Sequence, residues 1–321
     1  MKYCDPRYDV TFKKVFAQHK ELMLSFLNAL LPLEGDELIA NLEYVSPELL
    51  PIKQDLKYSI VDVQCTDKAG RKFLVEMQMV WSEEFKSRVL FNASKAYVTQ
   101  LESGNDYNLL QPVYSLNIVN DIFETDLPTD EYYHYYQLVH ERHSEKVIKG
   151  LHIAFIELPK FKPKNSSEKR MLNLWLRFLT EINAKTKEVP EEMLADPLIS
   201  KAVKLMEVEG MSETERFVYE KNLDDVRVER ALMRESKEKG HAEGKEEGIE
   251  IGRSEGIEIG RAEGIEIGRT EGIEIGKVKG RAEGRIEALK ETARKMLSHG
   301  MPIKVVSELT GLSKEELDLR D

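Results

Sequence analysis

The chain has 321 residues, 41% of them hydrophobic, and a formal net charge of −11, which suits one large folded domain or two smaller ones. No stretch approaches the roughly 20 apolar residues of a membrane span, the charged run from Met1 to Val10 is unlike a secretory signal, and Cys4 and Cys65 alone make neither a disulfide framework nor a cysteine-rich metal site. A reducing cytoplasm is therefore expected, and with 17 Lys and Arg against 24 Asp and Glu in the first 160 residues, any grip on DNA must use a local basic patch, a metal, or both.

From the amino end, Asp9 to Leu31 reads as helix. Phe12, Val15 and Phe16 fall at i, i+3 and i+4, Leu22, Phe26 and Leu30 follow at every fourth residue, and Pro32 closes the run. Two alternating apolar runs, Tyr58 to Cys65 and Lys72 to Met79, flank the turn signal Asp67-Lys68-Ala69-Gly70 and predict a β-hairpin. Ser82 opens a helix with Glu83 and Glu84 at its positive end. Val89, Ala93, Ala96 and Leu101 supply its apolar face and Gly104 stops it. Strands are predicted at Pro112 to Val119, Glu131 to Val139 and Val147 to Glu157. The order helix, strands, helix, strands gives a mixed α/β core over residues 1–160.

Residues 161–239 read as a helical extension, with Met171, Leu174, Phe178 and Ile182 on one stripe from a start near Ser166. Residues 240–285 are low in complexity. Glycine recurs every four residues from Gly240 to Gly284, and a unit Glu-Gly-Ile-Glu-Ile-Gly-Arg-x repeats every eight. Each glycine costs a helix about 1 kcal/mol relative to alanine, and pairs such as Glu250 with Arg253 offset a little of that. Four residues advance about 40° beyond one turn, so the glycine stripe winds around the rod. This reads as a marginal helix, either a solvated tether or a self-associating rod that makes a homo-oligomer. Residues 286–321 give short helical pieces broken at Gly300-Met301-Pro302 and Thr310-Gly311-Leu312-Ser313, with Ser313 and Glu316 spaced as a capping box. The spacing resembles a helix-turn-helix. Its second helix, Ser313 to Leu319, carries Glu315, Glu316 and Asp318, which repel phosphate and favour packing or oligomerisation over groove binding.

The hairpin carries the chemistry. Side chains alternate along a strand, so Val61, Val63 and Cys65 share one face and Ile60, Asp62 and Gln64 the other. With the turn centred on Ala69, Asp62 lies opposite Glu76 and Ile60 opposite Gln78, while Val61, Val63 and Cys65 meet Met77, Val75 and Phe73. A slip of one residue would break both groupings. Two carboxylates this close need a cation or a shared proton, and a hard divalent ion with oxygen ligands is the simplest relief. The same alternation also suits polar side chains facing solvent on an edge hairpin.

The string Asp62…Glu76-x-Gln78, followed by a helix with Arg88, Tyr97 and Gln100, resembles the PD-(D/E)XK nuclease superfamily, and within it the Rpn family of recombination-promoting, transposase-like nucleases. Asp9-x-x-Phe12-Lys13-x-x-Phe16, Phe26-Leu27-Asn28, Gly104-x-x-Tyr107 and the glycine-punctuated tail add to the likeness. The resemblance implies a restriction-endonuclease-like α/β core with a mixed central sheet flanked by helices. It also implies Mg²⁺-dependent endonucleolytic cleavage of DNA and a link to recombination or mobile DNA. Carried over by motif, Asp62 and Glu76 are metal ligands and Gln78 holds the third catalytic position, where Lys is usual. Asp9 is a candidate first-helix acid with Lys13 one turn on, although a plain helix ion pair explains those two equally well. Arg88 and Lys95, two turns apart, are candidates for DNA phosphate or ordinary solvated positions. His134, His140 and His143 match no standard zinc spacing, and Trp81, Tyr97 and Tyr107 read as packing residues. A protein that keeps the fold and associates with DNA or assembles without cutting is the alternative.

Overall fold

The computed structural model describes residues 2–49, 59–163 and 170–317. Two compact units divide the chain, Met1–Arg234 and Glu235–Asp321.

In the first unit the expected single amino-terminal helix is two: α1 (Asp9–Phe16) and α2 (Lys20–Leu30). In one straight helix Phe16 and Phe26 would stand about 15 Å apart. The break at Ala17–His19 folds α2 back, and the two rings meet at 4.2 Å with Trp175 at 5.5 Å from both.

Among the described residues eight strands follow: β1 (Leu42–Val45), β2 (Glu48–Leu49), β3 (Ser59–Ile60), β4 (Val63–Asp67), β5 (Lys72–Gln78), β6 (Val113–Val119), β7 (Tyr133–His140) and β8 (His143–Glu157). Six of them form one mixed sheet in the order β1-β4-β5-β6-β8-β7, with β5, β6 and β8 parallel. The α/β core expected from the sequence, a mixed sheet flanked by helices, is present. Its main core lies between one sheet face, with Phe73, Val75, Leu116 and Ile156, and the helices that bear Phe16, Phe26 and Trp175. On the other face α3 (Glu83–Val98) packs Ala93 and Ala96 on Leu74 and Val113. That helix ends at Val98, before Gly104, and Leu101 lies outside it. The Gln100 side chain instead clasps the Gln111 backbone, accepting its N–H at 3.0 Å and donating to its carbonyl at 2.9 Å.

The β4–β5 hairpin has the expected register, Val63 against Val75 and Cys65 against Phe73. Gly70 takes φ +84° in its turn, a conformation that glycine adopts at no steric cost, and Asp67 accepts the N–H groups of Ala69 and Arg71. The first predicted strand is not continuous, and its start at Tyr58 lies outside the described residues. The chain breaks pairing at Val61 and Asp62. Ile60 pairs with Glu48 instead of facing Gln78, and Val61 joins Leu49 and Leu74 on the α3 side rather than Val63 and Cys65.

Beyond the sheet come α4 (Arg170–Glu181), α5 (Glu191–Ala195), α6 (Pro197–Leu205) and α7 (Glu213–Ser298). The expected stripe on α4 buries Leu174 and Phe178, with Ile182 just past its end. The position of Ser166 lies outside the described residues.

In the second unit α7 stays helical through the repeats, and their isoleucines, Ile249 to Ile275, are exposed. It ends in α8 (Ile303–Thr310) and α9 (Lys314–Leu317), which bury Val306 and Leu317 with Ala293. Gly300 and Gly311 turn the chain at φ +80° and +72°. Ser313 and Glu316 form the reciprocal cap expected of them, while Asp318 and Leu319 lie outside the described residues. No helix among the described residues is long and apolar enough to cross a membrane.

Candidate active site

The break in β-pairing at Asp62 builds the site. Its Oδ2 accepts the Met77 N–H at 2.7 Å, so the carboxylate takes the donor that a continuous ladder would have used. Glu76 and Gln78, two apart on β5, share the face covered by α3. There Arg88 and Asn92, one turn apart, reach down to them. Asn92 Nδ2 donates to Glu76 Oε1 at 3.0 Å, and Arg88 Nη2 donates to Gln78 Oε1 at 2.8 Å and stands 3.5 Å from Glu76 Oε2. Gln78 Nε2 donates to the Val80 carbonyl at 2.6 Å, which fixes its amide orientation. Asp62, Glu76, Gln78, Arg88 and Asn92 line one cleft of about 810 Å³.

Burial raises the Asp62 carboxyl from 3.8 to about 6, and the nearby charges of Asp9 and Glu76 add to this against the Met77 N–H and Lys13. Burial also raises Glu76, against the opposing pull of Asn92 and Arg88. Both acids are thus held where charge is costly, and a bound cation would relieve both. Among the described residues no group of three or more His, Cys, Asp or Glu side chains gathers to hold a metal. Two carboxylates suit a magnesium-type ion, which keeps several waters and takes further oxygens from a phosphate.

The remaining candidates divide. Asp9 and Lys13 form an ion pair at 2.6 Å on α1; the charge of Asp9 raises the Asp62 carboxyl and that of Lys13 lowers it, and neither side chain lines the cleft. Lys95 is not brought to it. Its ammonium is buried and donates to the Leu49 carbonyl at 2.6 Å, because the end of α3 turns its side chain into a separate hollow with Gln64 and Thr99. The phosphate contact expected of Lys95 is therefore withdrawn. Trp81 stacks on Phe123 at 4.1 Å, and Tyr97 packs on Gly150, where any Cβ would stand 3.3 Å from its ring. Tyr107, expected to pack, is instead 82% exposed. His134 is buried against Glu157 at 2.9 Å. Asn92 was not among the sequence candidates. Its signal was a polar residue set between Val89, Ala93 and Ala96 on an otherwise apolar face.

A model of the PD-(D/E)XK nuclease family transposases matches residues 6–235, and one of the C-terminal helix-turn-helix domain of the Rpn/YhgA-like nuclease family matches residues 287–319. Neither the curated proteins nor the solved structures gave a match. The first model spans well over half of the chain and contains the whole cleft, and the second covers the terminal helices, so the chain belongs to the PD-(D/E)XK nuclease family transposases, of the Rpn kind.

Proposed function

We propose that the protein is a Mg²⁺-dependent DNA endonuclease that hydrolyses phosphodiester bonds in recombination or mobile DNA. The observation that carries this reading is the convergence of Asp62, Glu76, Gln78 and Arg88 on one cleft. Asp62 and Glu76 would hold the metal, which would supply an activated water and stabilise charge on phosphorus. Asn92 fixes one oxygen of Glu76 and Arg88 pairs with the other, which orients the carboxylate in the cleft. Gln78 cannot carry a proton, and its amide orients water or phosphate instead. Arg88 supplies the positive charge that a lysine at position 78 would have brought, and its planar fork suits a phosphate. The helix-turn-helix domain is a second contact with DNA.

The neutral amide at position 78 favours one other reading, a DNA-associated protein that keeps the fold without cutting. Incubating the purified protein with a labelled duplex separates the two. Cleavage with Mg²⁺ that disappears in Glu76→Ala supports the nuclease, whereas binding without cleavage by the wild type supports the alternative.

A further inference from the structure

A second hollow lies on the same face of the sheet as the Asp62–Glu76 cleft. The β2–β3 ribbon borders both. Ser59 and Ile60 line the cleft, and their strand partners Leu49 and Glu48 line the hollow. Both also rest on β5, where Lys72 lies four residues before Glu76, about 13 Å along the strand. Side chains alternate along a strand, so Lys72 faces the same way as Leu74 and Glu76. Thr66 pairs directly with Lys72, and Gln64 with Leu74, which brings Gln64 and Thr66 to that face as well. Lys95 and Thr99, one turn apart at the end of α3, complete the wall of a hollow of about 340 Å³.

Positive charge in this hollow exceeds negative. The Lys72 ammonium is half-buried and makes no hydrogen bond or ion pair among the described residues, and burial lowers it from its ordinary value. An ammonium withdrawn from water without a counter-charge is costly. Lys95 adds a second cation, whose ammonium donates to the Leu49 carbonyl at 2.6 Å. Among the described residues the wall has one carboxylate, that of Glu48, and it is exposed, where salt screens it. Gln64 is only 6% exposed, its Oε1 is buried without a partner, and its Nε2 makes no hydrogen bond among the described residues. The threonine hydroxyls are engaged, Thr66 donating to the Arg71 carbonyl at 3.1 Å and Thr99 to the Lys95 carbonyl at 2.8 Å. That leaves the Lys72 ammonium and the Gln64 amide to meet a ligand. Two cations against one screened acid suit a dianion better than a carboxylate. A phosphate monoester carries about −1.5 to −2 charges at pH 7 and has three strong acceptor oxygens.

We propose that the Lys72 ammonium and the Gln64 amide, in the field of Lys95, form a binding site for a phosphate monoester. The hollow has β4 and β5 for its floor and α3 and the β2–β3 ribbon for its sides, so it admits the end of a chain and not a strand running through. The monoester is therefore the terminal phosphate of a DNA strand or a free nucleotide. The site stands apart from the nuclease reading, since Asp62 and Glu76 take no part in it.

The test uses the full-length protein with divalent metal chelated, so that the cleft draws in no phosphate through an ion. Calorimetric titration with thymidine monophosphate, thymidine and acetate should show binding of the first alone. Lys72→Met should weaken that binding by roughly tenfold or more, the worth of a hydrogen bond to a charged group. Gln64→Leu should weaken it several-fold, and Lys72→Arg, which keeps the charge, should retain most of it. Lys72→Met removes a costly charge, so its urea melt should match or exceed that of wild type. Added thymidine monophosphate should stabilise wild type and leave Lys72→Met unmoved. A short strand with a phosphorylated end that binds more tightly than the same strand with a hydroxyl end, the difference vanishing in Lys72→Met, makes a DNA end the ligand. Equal binding of the two strands makes it the free nucleotide. Unchanged affinity in Lys72→Met, or acetate bound as well as the nucleotide, overturns the proposal. So does a loss found in Arg88→Met and not in Lys72→Met, which would place the phosphate in the cleft. No arm depends on cleavage, so a protein that fails to cut DNA leaves this result standing.

Discussion

The Asp62 carboxylate accepts the Met77 N–H at 2.7 Å, so the residue that interrupts strand pairing is tied to the strand carrying Glu76. Structure and charge therefore separate at this position. Asp62→Asn keeps an acceptor for Met77 and should fold with near wild-type stability. Asp62→Ala orphans that N–H and should cost about 1–3 kcal/mol. Both should lose more activity than the roughly 10–100-fold that outer-shell changes cost. Urea melts beside cleavage rates test this, and Asp62→Asn cutting at the wild-type rate would show that its charge has no role.

Arg88 and Gln78 act as a pair, joined at 2.8 Å. Arg88→Met should slow cleavage by roughly 10–100-fold. Gln78→Lys alone places an ammonium against the guanidinium, so it should not improve the enzyme. Combined with Arg88→Met it should recover much of the loss, because one cation again faces the cleft. Rates for the two single variants and the double variant form a cycle, and simple additivity would mean that the two side chains do not share one task.

A buried acid outside the cleft should set the acid limit of the fold. Glu157 is fully buried, which by itself would raise its carboxyl. Lys160, the Phe123 N–H, His134 and the Glu124 N–H outweigh burial and hold it below its ordinary 4.5. Its folded value lies below its unfolded one, so its stabilisation is present above about pH 4.5 and is lost as pH falls. Glu157→Gln should lower stability at pH 7 and flatten the loss of stability between pH 5 and pH 3, in units read from chemical melts at about one-unit pH steps. A parallel downward shift at every pH would contradict this account.

The repeats should tolerate change. A Cβ added at Gly256 or Gly264 meets nothing within 4 Å, so Gly256→Ala with Gly264→Ala should raise helix stability by about 1 kcal/mol per site. If the glycine stripe serves as a contact between copies, the same substitutions should weaken self-association in light scattering. An unchanged oligomeric state would leave the repeats a tether. Ending the chain after Arg234 should leave a folded first unit that cuts DNA, and an unfolded product would place the tail within the core.

Much of this was legible from local pattern. Period-two alternation and a Gly70 turn were enough for the hairpin register, because one face had to gather Val63, Cys65, Phe73 and Val75. Two adjacent features were not legible. The break between α1 and α2 has no proline or glycine to announce it, and the aromatic contact of Phe16 with Phe26 that rewards it is tertiary. The departure of Val61 and Asp62 from the ladder is likewise decided by the packing of Val61 against α3. Lys95 was misplaced for a related reason. Helical spacing puts it on the side of Arg88, but only the structure shows the Leu49 carbonyl that captures its ammonium. Asn92 escaped notice because a lone polar residue in an apolar stripe acquires meaning only once Glu76 is seen beneath it.

The most direct measurement is relaxation of supercoiled plasmid by matched preparations of wild type and Asp62→Asn, each with Mg²⁺ and with the metal chelated. The account predicts nicked or linear DNA from wild type with Mg²⁺ alone, and no product in the other three lanes. Equal cleavage by Asp62→Asn, or cleavage that survives chelation, would contradict it.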